Sequence, residues 1–209
     1  MALLILGGLV VLIQLDLITL AFRSLGLSRL GAAGLFLACA VGSLVNIPLF
    51  RMRRGAPGDL PDEVPTEEPM WPRLNAAHTL VAANLGGAII PGAFAAYLWL
   101  NGEVGTRMPL LCVALVAAVS RAFSRVEPGV GVTMPVFVAP LSAATIALML
   151  DPAHAAPLAY IGGTLGVLLG ADVLRLHQTA RFGAPVAAIG GGGTFDGIFL
   201  AGVVAVLLT

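Results

Sequence analysis

Two stretches decide how this chain is read: Leu168-Leu169-Gly170-Ala171-Asp172-Val173-Leu174 and Gly190-Gly191-Gly192-Gly193-Thr194-Phe195-Asp196-Gly197-Ile198-Phe199. Each sets one aspartate in a glycine-rich, almost wholly apolar run. A carboxylate in hydrocarbon costs several kcal/mol unless it is neutralised, paired or wetted, so such a residue marks a functional position. Working outward, the 209 residues are 58% hydrophobic and 11% charged, with a mean hydropathy of +0.98. A soluble domain carries about 25% charged residues. The composition therefore predicts an integral membrane protein, and unbroken apolar runs in place of alternating ones predict helices over barrel strands.

At about 20 apolar residues per crossing, the runs predict spans at 2–22, 30–50, 76–100, 108–121, 131–150, 156–175 and 184–208. The expected fold is an all-α polytopic transmembrane helix bundle of six or seven spans in a single domain, 1–209, with the last helix broken at Gly190 to Gly193. Four consecutive glycines are poor helix formers, each costing about 1 kcal/mol relative to alanine. The short run at 108–121, followed by Pro128-Gly129-Val130-Gly131, predicts a short helix and a re-entrant turn. Residues 51–75 hold four arginines and five acids and read as a polar loop. Under seven spans, eight arginines (51, 53, 54, 73, 121, 125, 175, 181) fall on the side of the amino terminus and three (23, 29, 107) on the other. The positive-inside rule then makes that loop cytoplasmic in a multi-pass protein of the cytoplasmic (inner) membrane.

Net charge is zero, all eleven basic residues are arginine, and no basic tract exceeds Arg51-Met52-Arg53-Arg54, so nucleic acid is not an expected partner. The expected partners are the lipid bilayer and a membrane-protein or small-ion substrate. Cys39 and Cys112 fall in apolar runs and read as packing thiols. No histidine and acid set has metal-ligand spacing, and no phosphate loop exists without lysine, so neither metal nor cofactor is expected. No strong internal repeat stands out, although Gly86-Gly87, Gly162-Gly163 and the Gly190 to Gly193 run share a context.

Asp172 precedes Arg175 and His177, either of which is placed to pair with it one turn along. Gly166 and Gly170 on the same helix have the small-xxx-small spacing that admits a neighbouring backbone. If the helix restarts near Thr194, Thr194 caps it and Asp196 sits in a first turn, where the helix dipole favours a carboxylate. The two acids lie 24 residues apart (196 − 172) on consecutive runs joined by a short turn. Brought together in a low-dielectric site they would share a proton, as acid/base hydrolysis by activated water requires. The same pair would serve a small transporter or an ion- or proton-binding membrane protein, with Asp16, Asn46, Asn84, Gly193 and Thr194 as further polar or close-approach positions, and a structural subunit of a membrane complex is the remaining alternative.

The runs Ala159 to Leu174 and Ala184 to Leu200, with Ser43-Leu44-Val45-Asn46-Ile47-Pro48 and Pro128-Gly129-Val130-Gly131, resemble an uncharacterised family of small polytopic prokaryotic membrane proteins. That resemblance implies a shared membrane fold and no particular activity. Ala171-Asp172 and Gly193-Thr194-Phe195-Asp196 are also similar to the paired motifs of presenilin and signal-peptide-peptidase type aspartyl proteases. There a tyrosine precedes the first acid and a Gly-x-Gly precedes the second, whereas alanine and phenylalanine stand here. The likeness implies an intramembrane aspartyl protease with Asp172 and Asp196 catalytic.

Overall fold

A computed structural model describes residues 16–53, 78–127, 131–181, 186–191 and 197–209. Helix α1 (Asp16–Ser24) bends by 113° into α2 (Arg29–Gly42), whose first turn is capped by the Ser28 hydroxyl accepting from the Gly31 amide. Strands β1 (Asn46–Arg53) and β2 (His78–Asn84) follow. After β2 a wide π-type turn, Leu85–Ile89, opens α3 (Ile90–Asn101). Helix α4 (Arg107–Phe123) leads through the small hairpin β3 (Arg125–Glu127) and β4 (Gly131–Thr133) to α5 (Val138–Leu150). A long rod then starts at Pro152, with the Asp151 carboxylate accepting from the Ala153 amide. The rod contains α6 (Ala155–Ile161), π-type turns at Gly162–Gly166 and Leu168–Asp172, a tighter turn at Val173–Arg175, and α7 (Leu176–Arg181). Strand β5 (Val186–Ile189) and helix α8 (Gly197–Leu207) close the chain.

The strands form one three-stranded sheet in the order β1-β2-β5. β1 lies antiparallel to β2, from Asn46 opposite Asn84 to Arg53 opposite His78, with an irregularity between Pro48 and Phe50. Proline lacks the ladder donor and is tolerated because β1 is an edge strand. β5 runs parallel to β2, from Leu80 opposite Val186 to Ala83 opposite Ile189. β2 is central and largely buried, with Val81 and Ala82 inside.

Around the rod the packing is set by glycine. A methyl at Gly162 would lie 2.5 Å from the Cys112 sulfur, one at Gly166 2.8 Å from Val116 Cβ, and one at Gly170 would overlap the Ala117 carbonyl. Contacts that rise together in both sequences make α4 and the rod parallel, and α5, packed on both, supplies the return. On another face Gly163 meets Gly202 of α8, its missing methyl 3.3 Å from the Gly202 Cα. Tyr160, fully buried, packs against Phe94 at 5.2 Å and Phe22 at 6.1 Å between ring centroids and so ties α6 to α3 and α1.

The expectation of an all-α bundle of six or seven spans is overturned. Four of the seven apolar runs hold a strand: 30–50 turns into β1, 76–100 begins with β2, 131–150 with β4, and 184–208 with β5. The last run therefore holds a strand, Val186–Ile189, and a helix, Gly197–Leu207, in place of a broken helix. Among the described residues one helical stretch, Pro152–Thr179, is long and apolar enough to cross a membrane, and the bent pair α1 and α2 would make a second only if counted as one span. The physical reason is that a short continuous apolar stretch reads the same as a strand or as part of a helix by periodicity, whether it is buried like β2 or exposed like β1. Of the polar segment 51–75, Arg51 to Arg53 belong to β1 and the rest lies outside the described residues.

Replacing Gly170 by alanine must drive the rod away from α4 and is expected to cost about 1 to 3 kcal/mol, the usual range for overpacking. Gly34 on α2 has nothing within 4 Å of its missing methyl, so Gly34→Ala is expected to gain about 0.5 to 1 kcal/mol from helix propensity. Unfolding midpoints of both variants in detergent check the contrast, and a neutral Gly170→Ala would contradict the packing.

Candidate functional site

Asn84 ends β2 and is fully buried, where an amide must satisfy both donors and acceptor. Its Nδ2 donates to the Ser43 carbonyl at 2.7 Å and to Asn46 Oδ1 at 3.1 Å, and its Oδ1 accepts from the Gly87 amide at 2.7 Å. One side chain thus joins the end of α2, the start of β1 and the turn after β2. Beside it the Leu85 amide donates to the Val45 carbonyl at 2.9 Å. Gly86 is pressed against the Cys39 carbonyl and the Ser43 amide so closely that no side chain fits.

Asp172 closes the second π-type turn of the rod. Such turns occur mostly as single insertions in helices and are frequent at functional sites, because the extra residue re-aims a side chain. Here the carboxylate is aimed at the sheet, and its Oδ2 accepts from the Gly190 amide at 2.6 Å. Gly190 follows β5 directly and has φ +80°, a conformation open to glycine. A methyl on it would lie 2.6 Å from both the Ala88 amide nitrogen and Ala88 Cβ. The turn after β5 is therefore seated on the turn after β2, and one contiguous set of contacts runs from Asp172 through Gly190 and Ala88 to Gly87, Asn84 and Asn46.

The depth of Asp172 is fixed from below by Arg175. Its guanidinium donates to the Arg121 carbonyl at 2.7 Å, to the Ser124 carbonyl, to Ser124 Oγ at 3.2 Å and to Gln178 Oε1 at 2.7 Å. These carbonyls terminate α4, where unpaired acceptors and the helix dipole both favour a cation.

The structure brings Asp172, Asn84 and Asn46 into this set. Asp16 lies elsewhere: it pairs at 3.4 Å with Arg29, both side chains largely exposed. Gly193, Thr194 and Asp196 lie outside the described residues. His78 opens β2 opposite Arg53, and His154 sits at the foot of the rod, its Nδ1 2.8 Å from Asp151 Oδ2. The hydrogen bond and charge of His154 hold the Asp151 carboxyl below the usual carboxylate range. Cys39 and Cys112 are buried free thiols, and among the described residues no three acids, histidines or cysteines are grouped to hold a metal. Sequence reasoning missed the Gly190 amide as the partner of Asp172 and the end of α4 as the partner of Arg175. The positive-φ requirement of a glycine after a strand was the one signal for the former.

The chain matches the model of the DUF1614 family, described as a protein of unknown function, over residues 40–208. It belongs to that family, and the match takes in β1, β2, the rod, β5 and all of α8. No curated protein and no solved structure matches it.

Arg175→Ala leaves the carbonyls that end α4 without their donor and is expected to cost about 1.5 to 3 kcal/mol, the range for hydrogen bonds to a charged group. Arg175→Lys is expected to recover only part of this, since an ammonium cannot present the planar fork. Denaturant unfolding of the two variants reads the difference, and full stability of Arg175→Ala would refute the clamp.

Proposed function

We propose that the protein is a membrane-inserted aspartyl-type hydrolase in which Asp172 and Asp196 form the acid pair, acting on a membrane-protein substrate. The observation that carries this reading is the course of the chain beyond Asp172. Gly190 stands at Asp172 and Gly202 of α8 at Gly163, so the segments before and after Asp196 both lie against the rod. Asp196 is the residue immediately before the start of α8 at Gly197.

In the hydrolytic reading one aspartate, as carboxylate, takes a proton from water while the other, protonated, donates to the substrate carbonyl; the tetrahedral intermediate then collapses with proton transfer to the leaving amine. The Gly190 amide holds one oxygen of Asp172 and so fixes the direction of its carboxyl group. Membrane insertion is supported by the composition and by large apolar side chains left facing outward, among them Leu30 at 85%, Leu100 at 82%, Val136 at 81% and Met149 at 79% exposure. Exposed apolar surface on that scale calls for a nonaqueous neighbour. The cytoplasmic membrane is the location this implies.

An ion- or proton-carrying site built on the same acids with Asp16, Asn46 and Asn84 draws less support. Asp16 is engaged with Arg29 away from the set, and both Nδ2 donors and the Oδ1 of Asn84 are committed to internal partners.

A photoactivatable statine-type peptide, whose hydroxyl mimics the tetrahedral intermediate, tests the reading on the reconstituted protein, because such analogues bind about 100-fold or more tighter than substrates. The expected outcome is labelling of the wild type and its loss in both Asp172→Asn and Asp196→Asn, with folding retained, since asparagine at 172 still offers an oxygen to Gly190. Equal labelling of wild type and variants, or no labelling of any, would overturn it.

A further inference from the structure

The segments that begin with the parallel strands β2 and β5 carry a faint sequence repeat, one residue out of step with the strand register, in which Leu80 lies opposite Val186. With a displacement of 105 residues (186 − 81), Val81-Ala82-Ala83 matches Val186-Ala187-Ala188, Gly86-Gly87 matches Gly191-Gly192, and Gly92, Phe94 and Ala96 match Gly197, Phe199 and Ala201. Eight of the sixteen positions from Val81 to Ala96 are identical. Both copies begin with a strand, continue through a glycine pair in the sequence and lead to a helix, and the two strands lie side by side in one sheet. The copies differ where chemistry is concerned. Pro91 stands in the first where Asp196 stands in the second, so only the second copy carries an acid.

They differ also in how the turn is held. The first copy is self-sufficient: Asn84 caps its own turn at Gly87, and the next amide, Leu85, donates to Val45 of the neighbouring segment. In the second copy the position of Asn84 is Ile189, which has no acceptor to offer. The amide equivalent to Leu85 is Gly190, and it turns to Asp172. The second turn is thus held from outside, by the Asp172 carboxylate on one side and by the first turn, against Gly87 and Ala88, on the other.

We propose that Asn84 is a positioning residue of the Asp172 site, fixing the first copy's turn as the seat that aims the Gly190 amide at the Asp172 carboxylate. Three hydrogen bonds hold that seat, and Gly190 touches it with no room to spare, so movement of the Gly87 to Ala88 peptide is transmitted to the Gly190 amide. The reaction proposed above borrows this geometry, and the inference itself rests on Asp172 and Gly190 whether or not a bond is cleaved.

The test is the amide signal of Gly190 in the full-length protein in detergent micelles, read by its proton chemical shift and its hydrogen exchange. Asp172→Ala supplies the reference for a lost Gly190 hydrogen bond. Asn84→Ala is expected to move the Gly190 proton upfield toward that reference and to speed its exchange about tenfold, the equivalent of one hydrogen bond, while Val116 and Ala117 on α4 keep wild-type protection. An unchanged Gly190 signal, or an equal loss of protection at Val116 and Ala117, would overturn the proposal. Should Asn84→Ala fail to fold, Asn46→Ala removes one of the three partners and is expected to move Gly190 the same way by less; no movement there would also overturn it. Failure of the statine probe leaves this outcome untouched, so the two readings fail separately.

Discussion

At Gly190 the backbone has one place to go. Its amide is 2.6 Å from the Asp172 carboxylate, its φ of +80° excludes most side chains, and its α-carbon is against the Gly87–Ala88 peptide. That contact joins the rod to the sheet and seats the turn after β5 on the turn after β2. A charge-assisted hydrogen bond to a backbone amide is roughly twice as strong as a neutral one, and here it is made by a half-buried carboxylate. The carboxylate of Asp172 therefore fastens the rod to the sheet.

The surroundings serve to hold that acid still. Glycines at 162, 166 and 170 let α4 approach the rod backbone to backbone, and Arg175 binds the carbonyls that end α4 one turn beyond Asp172. Packing sets the lateral position of the rod and the guanidinium sets its depth, while the π-type turn that Asp172 closes sets its direction. Asn84 performs the corresponding task for the sheet. Precise placement of an acid within about half an ångström needs such support from residues that do no chemistry themselves.

How much of this was legible in the sequence depended on which physical signal each residue carries. Asp172 stood out because a carboxylate in an apolar run has no cheap explanation, and the Gly166 and Gly170 spacing foretold the close approach of a neighbour, which is α4. Asn46 and Asn84 were visible as polar points, but their mutual bond required the register that sets them opposite each other across β1 and β2. The strands were not legible: His78 to Asn84 and Val186 to Ile189 are short apolar stretches followed by glycine, and hydropathy does not distinguish such a strand from the first turns of a helix. Arg175 is a neighbour of Asp172 along the helix, whereas three of its four hydrogen bonds reach residues 51 and 54 positions away in the chain. Local spacing has no access to tertiary partners. Asp16 was grouped with the polar interior on composition alone, and its exposed pairing with Arg29 depends on the 113° bend between α1 and α2.

If Asp172 and Asp196 form the acid pair proposed above, the separation of their carboxyl oxygens, measured in a crystal or electron-microscopy structure of the protein in lipid, corresponds to direct hydrogen-bond contact or a single bridging water, no more than about 5.5 Å. Carboxyl groups more than about 10 Å apart and aimed at different surfaces, a gap no single water spans, would contradict that pairing.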